Sequence, residues 1–418
     1  MHPIPPPARP LSTVAVVWLL GLTQIVGYGT LYYGFAIIAS DIAAEFDLPV
    51  SWIFGGFSLA LLAGGAAAPY AGRLIDRHGA AKVMAVGSIA AALCLGFVAV
   101  APGLIFLTIG LLAVEVSATL VQYDAAFAHI VQTAGGEARR RITHLTLIAG
   151  FASTLFWPLT SALDTVLTWR EVIAVFALLN LLVCLPVHLW LARASRPEAA
   201  PVAPAGAGPG ALEAIETPLP AALHRRAMVL VAVGFALAGF LLSAILAQMV
   251  PMLTALGLGT AAVAVAALFG PAQVLVRFVN MAVGGGRHPL TITIAAAVMM
   301  PAAVLVLAST APALAGAVLF VVLLGFGSGL TSIVRGTLPL ALFGRSGYGE
   351  RLGRMASARL VLTSVAPFAM AFLTDFSGAA VALTAMAAVG LLGLATFVAI
   401  ARLRAASMST AAEPAASG

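Results

Sequence analysis

Arg335 is a charged side chain in the middle of an apolar segment. It stands in the stretch GSGLTSIVRGTLPLALFG, residues 327–344. Ser328 and Ser332 precede it by seven and three residues, so a helix would put all three side chains on one face. A guanidinium group offers planar, permanently charged donors that fit a carboxylate. This face is therefore a candidate for substrate binding or for gating, and the sequence leaves both open.

Two acids lie in another apolar segment. Glu115, Thr119 and Gln122 form a polar stripe, and Asp124 follows Glu115 by nine residues. On a straight helix, which turns by about 100° per residue, the two acids would lie near opposite faces. Glu115 is a candidate carrier of a coupling proton, with a neutral, hydrogen-bonded side chain at a helix contact as the alternative. Which acid faces a cavity stays open.

A third polar stripe lies near the N-terminus. Gln24, Tyr28 and Tyr32 recur at intervals of four residues, and Gly27 and Gly29 would permit a bend beside them. The stripe predicts a surface that faces a central cavity. Tyrosines packed between helices, with their hydroxyls hydrogen-bonded, are the alternative.

The composition shows what kind of element must carry these residues. With 62% hydrophobic and 9% charged residues, the chain is an integral membrane protein and not a soluble globule. A membrane helix needs about 20 apolar residues. The sequence predicts an all-α protein with twelve transmembrane helices in two pseudo-symmetric six-helix bundles. The approximate spans are 12–38, 50–70, 82–101, 104–131, 143–164, 171–192, 226–250, 260–283, 289–309, 313–342, 355–374 and 380–401.

The distribution of charge and of proline predicts the domains and the topology. A Pro/Ala/Gly-rich linker, 193–224, would join the bundles 12–192 and 225–402, with tails at 1–11 and 403–418. Most arginines outside the spans fall on one side, which predicts cytoplasmic termini in an inner membrane. Because the basic residues follow the topology, they form no nucleic-acid surface despite the net charge of +6.

The two bundles read as a duplication. Basic loops predicted at 135–141 and 344–354 lie about half a chain apart. Asp124 and Arg335 are separated by about the same number of residues as the two loops. They would therefore occupy equivalent positions in the two repeats.

The loop after the second predicted span carries the most specific motif, GRLIDRHG at residues 72–79. Lys82 follows three residues later. The motif resembles the signature loop of the major facilitator superfamily of secondary transporters, except that Ala80 stands where that family has a basic residue. The resemblance implies alternating access and a gating role for this loop. It also implies that Asp124 pairs with an arginine of the loop, Arg73 or Arg77. Direct work on a proton or the substrate, and a plain packing role, are the alternatives for Asp124. The gating residues would be Gly72, Arg73, Asp76, Arg77, Gly79 and Lys82.

A weaker resemblance concerns Gln273 and Arg277, four residues apart on the eighth predicted span. Monocarboxylate porters of the superfamily carry an acid and an arginine at this spacing, and there the arginine meets the substrate carboxylate. Here Gln273 replaces the acid. The alternative for Arg277, and equally for Arg359, is that the side chain extends to the membrane surface.

We therefore expect a secondary transporter for a small organic anion such as a monocarboxylate, driven by the proton gradient and without cofactor or metal. The alternative is an efflux pump for a toxicant, drug or metalloid. The sequence contains no nucleophile–base pair and no cluster of metal ligands, which argues against an enzyme. The expected partners are the substrate and the lipid bilayer, and the expected state is a monomer.

Overall fold

A computed structural model describes residues 13–194, 218–284 and 286–412. These residues contain helices and no strand, and twelve of the helical segments are long and apolar enough to cross a membrane. The predicted all-α, twelve-span architecture is confirmed. Spans 1 to 12 are Val14–Glu45, Val50–His78, Ala80–Ala99, Leu104–Thr133, Gly135–Asp164, Trp169–Ala194, Ala221–Leu258, Ala261–Val283, Pro289–Thr310, Leu314–Phe343, Tyr348–Ser377 and Ala379–Met408.

Several spans are assembled from shorter helical pieces. Five-residue π turns interrupt spans 1, 6 and 7, and bends or turns divide spans 4, 5 and 8. The pieces are Thr13–Tyr28, Gly29–Tyr33 and Phe35–Glu45 in span 1; Leu104–Ala118 and Tyr123–Thr133 in span 4; Gly135–Glu137, Ala138–Ala149 and Ala152–Asp164 in span 5; Trp169–Leu179, Asn180–Cys184 and Leu185–Ala194 in span 6; Ala221–Leu253 and Thr254–Leu258 in span 7; Ala261–Ala267 and Phe269–Val283 in span 8.

The break in span 4 corrects the assumption of a straight helix. Residues 119–122 leave the α-helix, and Gln122 is extended, with φ −78° and ψ −168°. The amide nitrogen of Gln24 donates a hydrogen bond to the carbonyl oxygen of Val121 at 2.8 Å. Because no water reaches backbone groups in the bilayer core, such a side chain must replace the missing helical bond. Glu115 and Asp124 thus belong to two separate helices, and the rotation of a single helix does not relate them.

The π turn in span 1 supplies the bend that its glycines suggested. The amide of Gly34 donates to the carbonyl oxygen of Gly29 at 2.8 Å, a bond that spans five residues. A methyl group on Gly29 would come within 2.1 Å of the Phe156 ring, so only glycine allows this approach. One π turn brings Tyr28 and Tyr33, five residues apart, toward the same face, whereas a regular helix aligns residues four apart.

The even-numbered spans end, and the odd-numbered spans begin, on one side of the molecule, which we call the basic side. On this side the helices extend further than the sequence predicted. Span 2 continues to His78 and span 3 starts at Ala80, so only Gly79, at φ +86°, lies between them. The predicted loop 135–141 is helical, and the predicted loop 344–354 shrinks to residues 344–347. Charged residues can continue a membrane helix beyond the hydrocarbon core, which a hydropathy pattern does not detect.

His288 illustrates the electrostatics of the basic side. It lies between spans 8 and 9, and its Nδ1 accepts a hydrogen bond from the amide of Leu290 at 3.1 Å, at the start of span 9. Burial, reinforced by the positive charges of Arg404 and Arg139, lowers the pKa of His288 to about 4. The imidazole is therefore a neutral helix cap at physiological pH.

The predicted halves meet on the basic side. One apolar cluster there contains residues of both halves, including Ile75 and Phe127 from the first and Phe343 and Leu352 from the second. The other two clusters of the described chain each belong to a single half. The molecule is therefore packed shut across the halves on the basic side. The predicted linker 193–224 lies mostly outside the described residues, as does the tail 1–11, and the last helix continues to Ala412.

Gly72 allows a close approach between spans 2 and 11, and this contact can be tested. A methyl group at Gly72 would lie 2.3 Å from the carbonyl oxygen of Gly349. We expect Gly72→Ala to destabilise the closed basic side by about 1–3 kcal/mol. The rate at which a membrane-impermeant maleimide labels a cysteine introduced on this side should rise. Gly56→Ala, whose new methyl group would meet open space, is the control. Equal labelling of the two variants would contradict the role of this contact.

Candidate functional site

A cleft lies between the two halves. Asp124 of span 4 faces residues of spans 7, 10 and 11 across this cleft. The empty volume of the cleft is about 220 Å³. Two guanidinium groups, those of Arg335 and Arg359, share this small cleft with one carboxylate. The lining residues are Asp124, Phe235, Arg335, Leu352, Met355, Ala356 and Arg359.

Arg335 and Asp124 form an ion pair across the two halves. The Nη2 atom of Arg335 lies 3.5 Å from Oδ1 of Asp124, and the side chains are 18% and 25% exposed. This corrects the implied pairing of Asp124 with Arg73 or Arg77. The break in span 4 places Asp124 at the start of a new helix, beside span 10. Arg73 lies instead near Glu350, with 3.9 Å between Nη1 and Oε1.

Arg359 was not among the predicted site residues, and the structure places it in the cleft. Its aliphatic stem packs against Gly239 of span 7. Within the described chain, its guanidinium makes neither a hydrogen bond nor an ion pair. The interpretation that Arg359 extends to the membrane surface is therefore wrong. The sequence signal that could have found it is an arginine well inside a predicted span.

Arg277 is also buried, at 5% exposure, so its predicted extension to the membrane surface is wrong as well. Its Nη2 donates to Oε1 of Gln273 at 3.0 Å, and its Nη1 donates across the halves to the carbonyl oxygen of Thr146 at 3.2 Å. A longer contact of 3.4 Å joins Nε to the carbonyl oxygen of Gly329. Arg277 is thus solvated by neutral acceptors, and its positive charge stays uncompensated by these contacts.

Aromatic rings of the first half line the inter-half region. The ring centroids of Tyr28 and Tyr123 are 4.8 Å apart, those of Tyr28 and Tyr33 6.3 Å, and those of Tyr33 and Trp157 5.9 Å. The Tyr32 ring lies 5.3 Å from that of Tyr33 and 5.8 Å from that of Phe57. Of these residues, the sequence stripe had singled out Tyr28 and Tyr32. It missed Tyr33 because the π turn changes the spacing.

The remaining predicted polar residues do not bind Arg335. Gln24 is buried and bonds to the break in span 4, as described above. The hydroxyl of Ser332 donates to the carbonyl oxygen of Gly329 at 2.7 Å, and Ser328 is buried. Gln24 and Ser332 thus bond to helical backbone, while the charges in the cleft come from Asp124 and the arginines.

Glu115 lies apart from the cleft, against a separate cavity inside the first half. This cavity has an empty volume of about 370 Å³, and its other lining residues are mostly apolar. Glu115 is 5% exposed, and its Oε1 atom has no hydrogen-bond partner in the part of the chain that the structure describes. Tyr32 lies within electrostatic range of both Glu115 and Arg359.

The signature motif connects the halves on the basic side. Both carboxylate oxygens of Asp76 accept backbone N–H groups at the start of span 11, from Gly349 at 2.9 Å and from Glu350 at 2.8 Å. A carboxylate at a helix N-terminus is stabilised by the helix dipole and by the free N–H groups. Gly72 contacts Gly349, while Arg77 and Lys82 are exposed at the helix ends beside Gly79.

The ion pair between Asp124 and Arg335 can be tested by a double-mutant cycle. Asp124→Asn would leave Arg335 without its counter-charge and should lower stability by about 1–3 kcal/mol, between the values for exposed and buried pairs. Adding Arg335→Gln should restore part of this loss, as read from the apparent melting temperature of purified protein. Asp375→Asn, at an exposed position near the end of span 11, is the control. Strictly additive effects would show that the two groups do not interact.

Several solved structures share the architecture of this chain. The crystal structure of the human organic anion transporter MFSD10 (TETRAN) superposes with a TM-score of 0.68 at 16% identity, covering 94% of this chain and 100% of that chain. The transporter FucP in its outward conformation gives 0.66 at 14% identity, covering 91% and 97%. The proton:xylose symporter XylE gives 0.66 at 14% identity, covering 92% and 95%. These identities support the fold alone.

Sequence comparison gives the family itself. No curated protein matches the sequence significantly. A family model described as "Major Facilitator Superfamily" matches residues 17–349, most of the chain. The chain therefore belongs to the major facilitator superfamily.

Proposed function

We propose that this protein is a secondary active transporter that carries a small organic anion across the cytoplasmic membrane by alternating access. The observation that carries the proposal is the charge buried between the two halves. Arg277, Arg335 and Arg359 supply three positive charges there, and Asp124 supplies one negative charge. Three minus one leaves two positive charges uncompensated.

A surplus of positive charge inside a membrane protein is unfavourable unless a ligand compensates it. A carboxylate entering the cleft would gain charge-assisted hydrogen bonds from guanidinium groups that are already in place. A neutral or cationic compound would gain none of this energy, which disfavours the alternative of an efflux pump for a neutral or cationic drug. MFSD10, whose structure is similar, is an organic anion transporter.

Access to the cleft is proposed to alternate between the two sides. The basic side is packed shut across the halves, while the apolar clusters toward the other side stay within their own halves. With the basic side in the cytoplasm, as the distribution of arginines favours, closure of this side would correspond to the outward-facing state of the proposed cycle. Inward opening would then require the bonds between Asp76 and the start of span 11 to break.

Glu115 is the proposed carrier of a coupling proton, with the proton gradient as the driving force and no cofactor. An unpaired carboxyl group in an apolar cavity is stable when protonated, and it would release its proton when the cavity becomes hydrated. Tyr32 lies within electrostatic range of this carboxyl and of Arg359. It offers a path by which proton release and anion binding would influence each other.

Substitution of Arg359 tests the anion site. We expect Arg359→Gln to weaken anion binding by about tenfold to a hundredfold through loss of a charge-assisted contact. The measurement is thermal stabilisation of the purified protein by acetate, lactate, benzoate and succinate, with xylose and tetraethylammonium as neutral and cationic comparisons. Arg402→Gln, at an exposed position of the last helix, should bind like the native protein. Stabilisation by xylose or tetraethylammonium, and by no anion, would overturn the proposal.

Substitution of Glu115 tests the coupling. Glu115→Gln keeps the size of the side chain but removes its exchangeable proton. In proteoliposomes, we expect this variant to lose anion accumulation driven by a pH gradient while keeping counterflow between equal anion pools. Glu171→Gln, where glutamine can preserve the helix-capping contact with Thr168, is the control. Accumulation that persists in Glu115→Gln would assign the proton to another group.

A further inference from the structure

We infer that the transported anion carries a planar aromatic ring, with the carboxylate directed toward the arginines and the ring against the tyrosines of the first half. This inference rests on the proposed function and specifies its substrate class. It follows from the different side chains that the two halves contribute. The second half provides the arginines, and the first half provides the tyrosine rings.

The aromatic surface is built by the two irregular segments of the first half. The π turn in span 1 brings Tyr28 and Tyr33 together, and the break in span 4 makes Tyr123 the first residue of its second helix. The three tyrosines and Trp157 form a continuous series of ring contacts, with centroid separations between 4.8 and 6.3 Å. We call these four side chains the aromatic wall. The wall exists only because both segments depart from regular helix.

The aromatic wall faces the arginines of the second half. Tyr33 lies within electrostatic range of Arg277. Tyr123 lies within range of Arg277 and Arg335. Tyr28 lies within range of Arg335 and also of Arg359. Tyr123 directly precedes Asp124, whose carboxylate lies 3.5 Å from Arg335 in the cleft. A ligand that extends from the cleft toward the aromatic wall would therefore touch guanidinium groups and tyrosine rings at the same time.

The hydroxyl groups of the wall are available to a ligand. Buried tyrosines normally hydrogen-bond through their hydroxyls, as Tyr348 does to the carbonyl oxygen of Gly336 at 2.6 Å. The hydroxyls of Tyr28, Tyr33 and Tyr123 have no such bond to any described residue. Together with the unpaired guanidinium of Arg359, they form a set of donors suited to the oxygen atoms of a carboxylate.

A ring would use the wall in a way that a short aliphatic acid could not. Acetate could reach the guanidinium groups, but it would leave the tyrosine rings without a partner. An aromatic ring stacked on or against a tyrosine gains energy beyond that of burying its area, which corresponds to about a twofold to tenfold gain in affinity per contact. We therefore expect the site to discriminate ligands by ring planarity as well as by charge.

Three carboxylates and one alcohol separate these effects. Isothermal titration of the full-length protein in detergent would compare benzoate, cyclohexanecarboxylate, acetate and benzyl alcohol. Benzoate and cyclohexanecarboxylate share their charge and a six-membered carbon ring, and they differ chiefly in the planarity and aromaticity of that ring. We expect benzoate to bind about fivefold to tenfold more tightly than cyclohexanecarboxylate, acetate to bind more weakly than either, and benzyl alcohol to show no binding.

The outcomes distinguish this inference from the proposed function. Equal affinity for benzoate and cyclohexanecarboxylate would overturn the aromatic preference and leave the anion site intact. Binding of benzyl alcohol with no binding of any carboxylate would overturn the proposed function, and this inference with it.

Variants of Tyr33 test whether the aromatic wall causes the preference for a planar ring. Tyr33→Leu should abolish the difference between benzoate and cyclohexanecarboxylate, and Tyr33→Phe should retain it. Both variants lack the hydroxyl, so any loss of acetate affinity should be the same in the two. Phe372→Leu, which changes an exposed ring on span 11, is the matched control. If Tyr33→Leu weakened all three carboxylates equally, Tyr33 would support the fold without selecting the ring, and the assignment to the wall would be overturned.

Discussion

The architecture of the site depends on one constraint, the need to satisfy backbone polar groups inside a membrane. Where span 4 leaves the helix, Gln24 donates to the carbonyl of Val121. Where span 1 forms its π turn, the amide of Asn180 from span 6 donates to the hydroxyl of Thr30, which donates to the carbonyl of Val26. These buried bonds make irregular backbone tolerable. The irregular segments in turn position Tyr33, Tyr123 and Asp124, which no regular helix with this sequence would place together.

Arg277, Arg335 and Arg359 differ in the groups that the protein places beside their positive charges. Arg335 has a carboxylate, Arg277 has carbonyl and amide oxygens, and Arg359 has neither in the described chain. The charge that the protein compensates least is therefore at Arg359. Because an uncompensated charge is most costly where water is scarce, this is the position at which an anionic ligand would add most to stability. Ligand binding and packing of the second half are thus expected to be coupled.

The sequence predicted the spans and the family well, because hydropathy and the signature motif depend on short windows of residues. It predicted the site less well. For Arg277 and Arg359, the sequence allowed extension to the membrane surface because a single helix gives no information about the helices beside it. In the structure, neighbouring helices cover both side chains. For Asp124, the family resemblance implied a partner in the signature loop. The hydropathy pattern does not show the break in span 4, which places Asp124 beside span 10 instead. Tyr33 escaped notice because a π turn replaces a spacing of four with one of five.

The pairing of Asp124 with Arg335 has a geometric consequence for the proposed alternating access. The two residues occupy equivalent positions in the predicted duplication, and they touch across the halves. Positions related by a two-fold pseudo-axis can meet only near that axis. When two halves rock about an axis in the membrane plane, displacement grows with distance from that axis along the membrane normal. Asp124 lies nine residues before the end of span 4, whereas Asp76 lies two residues before the end of span 2. The bonds of Asp76 to span 11 are therefore expected to separate further than the ion pair. This separates the residues that define the site from those that open it.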